Sequence, residues 1–119
     1  MKRVLIVDDA AFIRMMVSRL LIQHGYEVVG EADNGQLALE MYKSLKPDLV
    51  TMDITMPIMT GLETLKEIVE FDSEARVVML TAMGQQDMIM EAIQLGAKSF
   101  IVKPFKEEVF INTIRHILQ

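Results

Sequence analysis

Three aspartates, Asp8, Asp9 and Asp53, directly follow two short apolar segments, residues 4–7 and residues 49–52. Short and uninterrupted apolar runs of this kind indicate strands that are buried on both faces of a parallel sheet. Open α/β sheets bind their ligands at the carboxyl ends of the strands, which is where these acids fall. The sequence therefore predicts that Asp8, Asp9 and Asp53 share one site.

Three carboxylates in one crevice repel one another, and a bound cation or a proton offsets that repulsion. Mg2+ suits such a site because it takes oxygen ligands, commonly one or two carboxylates together with water and phosphate oxygens. We expect Asp9 and Asp53 to bind the ion directly and Asp8 to hold metal-bound water. The backbone carbonyl of Thr55 is a further candidate ligand.

Two later strand candidates end in Thr81 and Lys103, so their side chains reach the same edge of the sheet. With the metal bound, the Asp53 carboxylate can attack a phosphoryl group and form an acyl phosphate. Such a reaction needs positioning and charge neutralisation rather than a strong base. The Lys103 ammonium and the Thr81 hydroxyl would each donate to a phosphoryl oxygen. Asp53 is thus the predicted phosphoryl acceptor.

Each of these residues also has an ordinary structural explanation. Asp8 and Asp9 would suit the N-terminus of the helix that follows them, and Asp53 would suit a turn. The site interpretation is preferred because a fold gains nothing from gathering three acids at one edge. Lys103 precedes Pro104, which ends the strand ladder and favours an unusual turn, with a cis peptide bond as one option.

The rest of the chain alternates between strand-like and helix-like patterns. Strands are predicted at residues 4–7, 26–32, 49–53, 77–80 and 100–102, and apolar helix faces at residues 13–21, 38–45, 62–69, 89–93 and 110–118. This alternation predicts an α/β fold, with a five-stranded parallel sheet doubly wound by five helices. Periodicity does not fix the strand order; the order 2-1-3-4-5 would open a crevice between strands 1 and 3.

The composition narrows the class of protein. With 119 residues, 51% of them hydrophobic, the chain is predicted to form one domain over residues 1–119 and to be monomeric. Its net charge of −5 argues against nucleic-acid binding, and frequent charges interrupt any apolar run that could cross a membrane. The absence of cysteine and of a secretory signal favours a cytoplasmic location. There is no nucleotide-binding glycine motif.

Six residues at the predicted strand ends carry a resemblance to a known family: Asp8, Asp9, Asp53, Thr81, Lys103 and Pro104. With these residues, the chain resembles over essentially its whole length the receiver domain of two-component response regulators. Residues 7–12, 51–57 and 82–86 are further similar to receivers of the chemotaxis type. The resemblance implies a flavodoxin-like fold with strand order 2-1-3-4-5. It also implies that a histidine kinase phosphorylates Asp53 with Mg2+ bound.

The resemblance further implies how the signal is passed on. Thr81 moves towards the phosphoryl group and Phe100 turns inward, which changes the surface of the fourth helix, fifth strand and fifth helix. The flagellar motor switch is the implied target, and a phosphatase is a further implied partner. On burial grounds alone, Phe100 is instead predicted to be a core residue. Of the 11 methionines, Met83, Met88 and Met90 are candidates for a partner groove.

We therefore predict a phosphorylation-controlled switch that is not a conventional enzyme, although it assists its own phosphorylation and dephosphorylation. Three alternatives stay open at this point. The chain could be a phosphorelay intermediate, or the receiver fragment of a DNA-binding response regulator. A small phosphatase with an aspartate nucleophile is the third alternative, but it would need a cap domain for which this chain has no room.

Overall fold

A computed structural model describes all of residues 1–119, in which five strands alternate with five helices. The strands are β1 (Arg3–Val7), β2 (Glu27–Ala32), β3 (Leu49–Asp53), β4 (Val77–Thr81) and β5 (Ser99–Val102). The helices are α1 (Ala11–Gln23), α2 (Gly35–Leu45), α3 (Gly61–Phe71), α4 (Gln86–Leu95) and α5 (Glu107–Ile117). None of these helices combines the length and the apolar character that crossing a bilayer requires.

All five strands are parallel and lie in the order β2-β1-β3-β4-β5. This arrangement confirms the predicted α/β fold and the strand order that the family resemblance implies. From β1 the chain moves outward to β2, whereas from β3 it moves in the opposite direction to β4 and β5. The carboxyl ends of β1 and β3 therefore flank the crevice that such a reversal creates.

The sheet has a hydrophobic core on each face. Helices α2, α3 and α4 cover one core, and helices α1 and α5 cover the other. Side chains alternate between the two faces of a strand, so that Leu5 belongs to the first core and Ile6 to the second. Strands β1, β3 and β4 are buried along almost their whole length. Burial on both faces explains why their sequences are unbroken apolar runs.

The two edge strands are more exposed than the central ones. In β2 the charged residues Glu27 and Glu31 are exposed, as the sequence predicts for an edge strand. In β5 only Ile101 is fully buried, and Phe100 is 42% exposed. The prediction that Phe100 is a core residue is therefore wrong, because β5 forms an edge of the sheet and Phe100 lies on its more open side.

Two helix N-termini differ from the simplest expectation. Helix α1 follows Ala10 and has no side-chain cap, so the aspartate pair does not cap it; instead, Asp8 Oδ1 accepts a hydrogen bond from the Ala10 N–H at 2.9 Å. Helix α2 begins at Gly35, earlier than the apolar pattern predicts. Asn34 caps this helix by accepting a hydrogen bond from the Leu37 N–H at 2.9 Å.

The start of α3 packs directly against the end of β3. Thr60 and Glu63 form a reciprocal capping box, which fixes where the helix begins. Its first residue, Gly61, donates from its N–H to the Ile54 carbonyl at 2.7 Å. A Cβ atom at Gly61 would collide with the Asp53 carbonyl oxygen and with the Ile54 backbone. Glycine at this position therefore allows the β3–α3 loop to close tightly beneath Asp53.

We predict that Gly61→Ala destabilises the fold by about 1–3 kcal/mol, because the new methyl group overlaps with backbone that cannot move aside easily. Gly30→Ala is a matched control, since its Cβ would meet mainly the flexible end of Met41. Urea denaturation of both variants measures the difference. Equal stabilities for the two variants would show that the close approach to Asp53 is unimportant.

Candidate functional site

The three predicted acids meet at the carboxyl edge of the sheet. Strand β1 pairs with β3 so that Val7 lies opposite Met52, which places Asp8 and Asp53 side by side at the next positions. Carboxylate oxygens of Asp8, Asp9 and Asp53 all lie within 4.8 Å of one another. Asp8 is buried and Asp53 is partly buried, whereas Asp9 is exposed. The acids thus form a crevice that is open to solvent on one side.

Lys103 joins this cluster from the loop after β5. Its Nζ donates to Asp8 Oδ2 at 3.0 Å and to Asp53 Oδ1 at 3.3 Å. Its backbone N–H donates to the Thr81 carbonyl at 2.7 Å, which extends the pairing of β4 and β5. The peptide bond between Lys103 and Pro104 is cis, the option that the sequence left open. One ammonium therefore faces three carboxylates.

This arrangement perturbs the titration of its members. Burial, together with the charge of Asp8, raises the pKa of Asp53 to about 6 from its usual 3.8, and the Lys103 ammonium offsets only part of the rise. Burial by itself would lower the pKa of Lys103. The hydrogen bond to Asp8 and the nearby charges of Asp53 and Asp8 outweigh it, so that the pKa of Lys103 is raised. Near neutral pH the site therefore holds an ionised but destabilised Asp53.

The acid cluster is flanked by Thr81 at the end of β4 and by Thr55 in the loop after β3. Thr81 ends β4 and is completely buried, and its hydroxyl has no hydrogen-bond partner. Such a group is ready to accept a new partner, since an unsatisfied buried hydroxyl is costly. Thr55 lies two residues after Asp53 and is exposed, and its hydroxyl accepts a hydrogen bond from Gln85 Nε2 at 3.2 Å.

Phe100 lies away from the acid cluster, in a groove between α4 and β5. The groove has a volume of about 660 Å³. Its apolar lining consists of Ile89, Met90, Ile93, Phe100 and Val102. Of the three methionines suggested for a partner groove, Met90 alone belongs to this lining. The groove is an exposed apolar surface beside the strand that delivers Lys103.

Two residues near the site were not found from the sequence. Arg14 Nη1 donates to the Asp8 carbonyl at 2.7 Å, and its Nε lies 3.4 Å from Glu31 Oε1, so it fixes the β1–α1 turn. Its position in the first turn of α1, just after the aspartate pair, was an available signal. Gln85 accepts a hydrogen bond from the Ala82 N–H at 2.7 Å, and nothing in its sequence context indicates this role.

Comparison with known families identifies the class of protein to which this fold and site belong. The family model described as the response regulator receiver domain matches residues 4–115. The chain therefore belongs to the receiver-domain family of two-component response regulators.

Two curated relatives are each called chemotaxis protein CheY. The protein from Bacillus subtilis is 57% identical over 116 residues, which is 98% of this chain and 97% of the relative. The protein from Thermotoga maritima is 55% identical over 116 residues, with the same coverage of 98% and 97%. Within the receiver family, the chain is thus similar to chemotaxis receivers over almost its entire length.

Solved structures agree with this assignment. CheY from Borrelia burgdorferi, in a complex with CheX, BeF3 and Mg2+, has a TM-score of 0.95 and 35% identity, covering 99% of this chain and 90% of that one. The response regulator domain of Thermotoga maritima CheB has a TM-score of 0.90 and 35% identity, covering 98% and 96% of the two chains. The flavodoxin-like receiver fold is therefore shared across these proteins.

We predict that Asp53→Asn stabilises the metal-free protein by about 1–3 kcal/mol at pH 7.5, because the neutral amide removes a charge that burial and the neighbouring Asp8 make unfavourable. A carboxyl group whose pKa is raised on folding, here to about 6, costs stability as the pH rises from 3.8 through 6. The gain should accordingly shrink when the pH falls towards 4.5. Urea denaturation at both pH values measures it. A variant that is less stable than wild type at pH 7.5 would contradict this account.

Proposed function

We propose that the protein is a phosphorylation-controlled switch in chemotaxis signalling, with Asp53 as the phosphoryl acceptor. The observation that carries this proposal is the position of Asp53 at the carboxyl edge of the sheet, between two further acids and the Lys103 ammonium. The similarity to relatives named as chemotaxis proteins supports the pathway. The roles of Asp8, Asp9, Thr81 and Lys103 are part of the same proposal.

The acid cluster fits a magnesium ion. Mg–O bonds of about 2.1 Å place the ligand oxygens of an octahedron at most about 4.2 Å apart. The carboxylate oxygens lie within 4.8 Å of one another, so that small side-chain movements would bring them into range. Asp9 and Asp53 would hold the ion with the Thr55 carbonyl, and Asp8 would hold a bound water. When bound, Mg2+ neutralises charge on the carboxylates and on phosphoryl oxygens.

The phosphoryl transfer requires an ionised acceptor and donors for the transferred group. A carboxylate oxygen of Asp53 attacks phosphorus, and the bond between phosphorus and the donor breaks with its electron pair leaving on the donor. With its pKa of about 6, Asp53 is mainly ionised at neutral pH. The Lys103 ammonium and the unpartnered Thr81 hydroxyl then donate to phosphoryl oxygens.

The switch would connect this site to the groove between α4 and β5. A phosphoryl group on Asp53 offers Thr81 a partner, and the movement of Thr81 leaves space into which Phe100 can turn. Such a group favours the active conformation only by as much as it interacts better with that conformation. We propose that the groove and its surroundings bind the flagellar motor switch. The proposed activity of the protein is that of a signalling switch, and the protein would assist its own phosphorylation and dephosphorylation.

The remaining parts of the proposal concern partners and setting. A histidine kinase of the chemotaxis type would donate the phosphoryl group, and a phosphatase would remove it. A CheY from Borrelia burgdorferi forms a complex with CheX in the presence of BeF3 and Mg2+, which supports a regulated receiver with protein partners here as well. A single receiver domain over residues 1–119, a monomeric state and a cytoplasmic location stay predictions.

Millimolar Mg2+ should raise the melting temperature by about 3–6 °C at pH 7.5, because the ion binds the folded crevice and not the dispersed chain. The rise should diminish as the pH falls below about 6, where a proton on Asp53 competes with the ion. Differential scanning calorimetry measures the effect. Asp9→Asn should reduce it, and an undiminished rise in this variant would place the ion elsewhere.

Acetyl phosphate with Mg2+ should label the protein on Asp53 alone, since acetate leaves with the electron pair and the carboxylate becomes an acyl phosphate. Mass spectrometry of the intact protein, followed by mapping of the modified residue, measures the labelling. Asp53→Asn should remove the label and keep the fold.

Asp33→Asn is a matched control for this experiment, because Asp33 is exposed and lies outside the acid cluster. Labelling of Asp53→Asn at the wild-type level would overturn the assignment of the acceptor.

The labelled protein also distinguishes between the candidate targets. Binding to a motor-switch segment supports the chemotaxis proposal, whereas transfer of the label to a histidine phosphotransferase favours a phosphorelay.

A further inference from the structure

Gln85 bridges the two loops that border the phosphoryl site. Its Oε1 accepts a hydrogen bond from the Ala82 N–H at 2.7 Å, directly after Thr81 at the end of β4. Its Nε2 donates to the Thr55 hydroxyl at 3.2 Å, two residues after Asp53 at the end of β3. One side chain thus ties the β3–α3 loop to the β4–α4 loop. We refer to these two hydrogen bonds as the Gln85 clasp.

The Ala82 N–H is available to Gln85 because the pairing of β3 with β4 ends just before it. The Ile54 N–H donates to the Leu80 carbonyl at 3.3 Å, which is a regular ladder bond. The next ladder bond would run from the Ala82 N–H to the Ile54 carbonyl. That carbonyl instead accepts from the Gly61 N–H at 2.7 Å. The Ala82 N–H is therefore freed at the carboxyl edge, between the strands that end in Asp53 and Thr81.

Gln85 is also the residue that immediately precedes α4. It occupies the N-cap position, yet its side chain makes no capping hydrogen bond to its own helix. The side chain reaches back to the site instead. Any change in the clasp therefore acts on the beginning of α4, and α4 forms one wall of the apolar groove.

We propose that Gln85 is a positioning residue that holds the unphosphorylated conformation and is displaced by phosphorylation. This inference rests on the proposed function of Asp53. A phosphoryl oxygen on Asp53 competes with Gln85 Oε1 for the Ala82 N–H. An anionic oxygen is the stronger acceptor, because charge-assisted hydrogen bonds are roughly twice as strong as neutral ones. Loss of the clasp then frees the start of α4 to move together with Thr81.

A second consequence concerns the rate of phosphorylation. The clasp stabilises only the unphosphorylated form, so it raises the barrier to any rearrangement that must break it. The net stabilisation from one ordinary hydrogen bond corresponds to a change of about threefold to tenfold in the equilibrium between the conformation with the clasp and the conformation without it. Gln85 therefore limits how readily small donors phosphorylate Asp53, without itself contacting the reacting atoms.

The test compares Gln85→Met, which keeps the size of the side chain but cannot form the clasp, with the control Gln23→Met on an exposed face of α1. In the metal-free protein, amide exchange of Ala82 measured by NMR should become faster in Gln85→Met alone. Labelling of Asp53 by acetyl phosphate with Mg2+ should become about threefold to tenfold faster in the same variant.

Gln85→Glu supplies a readout that a merely structural role would not move. Glutamate keeps an acceptor for the Ala82 N–H, so amide exchange should stay slow. Its added negative charge near the acid cluster should make labelling slower than in wild type. Met and Glu at this position should therefore change the labelling rate in opposite directions.

The outcomes separate this inference from the proposed function. If wild type is not labelled on Asp53, both fail together. If wild type is labelled, and Gln85→Met matches Gln23→Met in labelling rate and in Ala82 exchange, the clasp inference alone is overturned. Faster exchange with an unchanged labelling rate would also overturn it, because the clasp would then exist without influencing phosphorylation.

Discussion

Lys103 Nζ lies 3.0 Å from Asp8 Oδ2 and 3.3 Å from Asp53 Oδ1. One ammonium therefore faces three carboxylates at the edge of the sheet. This imbalance is the constraint on which the rest of the structure depends. Removing charges from water is costly unless they are paired, and here two acids compete for one cation while a third stands beside them. We propose that this excess negative charge allows the crevice to bind a divalent cation. Burial, together with the charge of Asp8, raises the pKa of Asp53. The fold keeps this unfavourable arrangement in place, because the carboxyl ends of β1 and β3 are held by hydrogen bonds to their neighbours and by cores on both faces.

The same edge of the sheet links chemistry to a surface. Thr81 carries a buried hydroxyl without a partner. The side chain of Gln85 forms hydrogen bonds with the two loops around Asp53 rather than capping its own helix. Thr81 ends β4, and Gln85 lies directly before α4. Phe100 is 42% exposed in the groove that α4 forms with β5. A phosphoryl group would change the partners of the first two residues, and the groove is an apolar surface that could respond to that change.

Much of the fold could be predicted from the sequence, because the strongest signals were local. Uninterrupted apolar runs at residues 4–7 and 49–52 indicated buried parallel strands, and their terminal acids indicated a common edge. The strand order could not be obtained from periodicity, since the pairing of β1 with β3 joins distant parts of the chain; it came from the family resemblance. Phe100 was wrongly assigned to the core on burial grounds, because an apolar residue of an edge strand can face solvent. The Gln85 clasp depends on where the pairing of β3 with β4 ends, and no local pattern reports that point.

The most direct test of the charge imbalance is a pH titration of the Asp53 side-chain carboxyl carbon by NMR, without and with saturating Mg2+. Metal-free protein should show a pKa of about 6 for Asp53, because burial and Asp8 outweigh the Lys103 ammonium. With Mg2+ bound, that pKa should fall well below its metal-free value, since the cation favours the ionised carboxylate. An ordinary pKa near 3.8 that does not respond to Mg2+ would contradict the account.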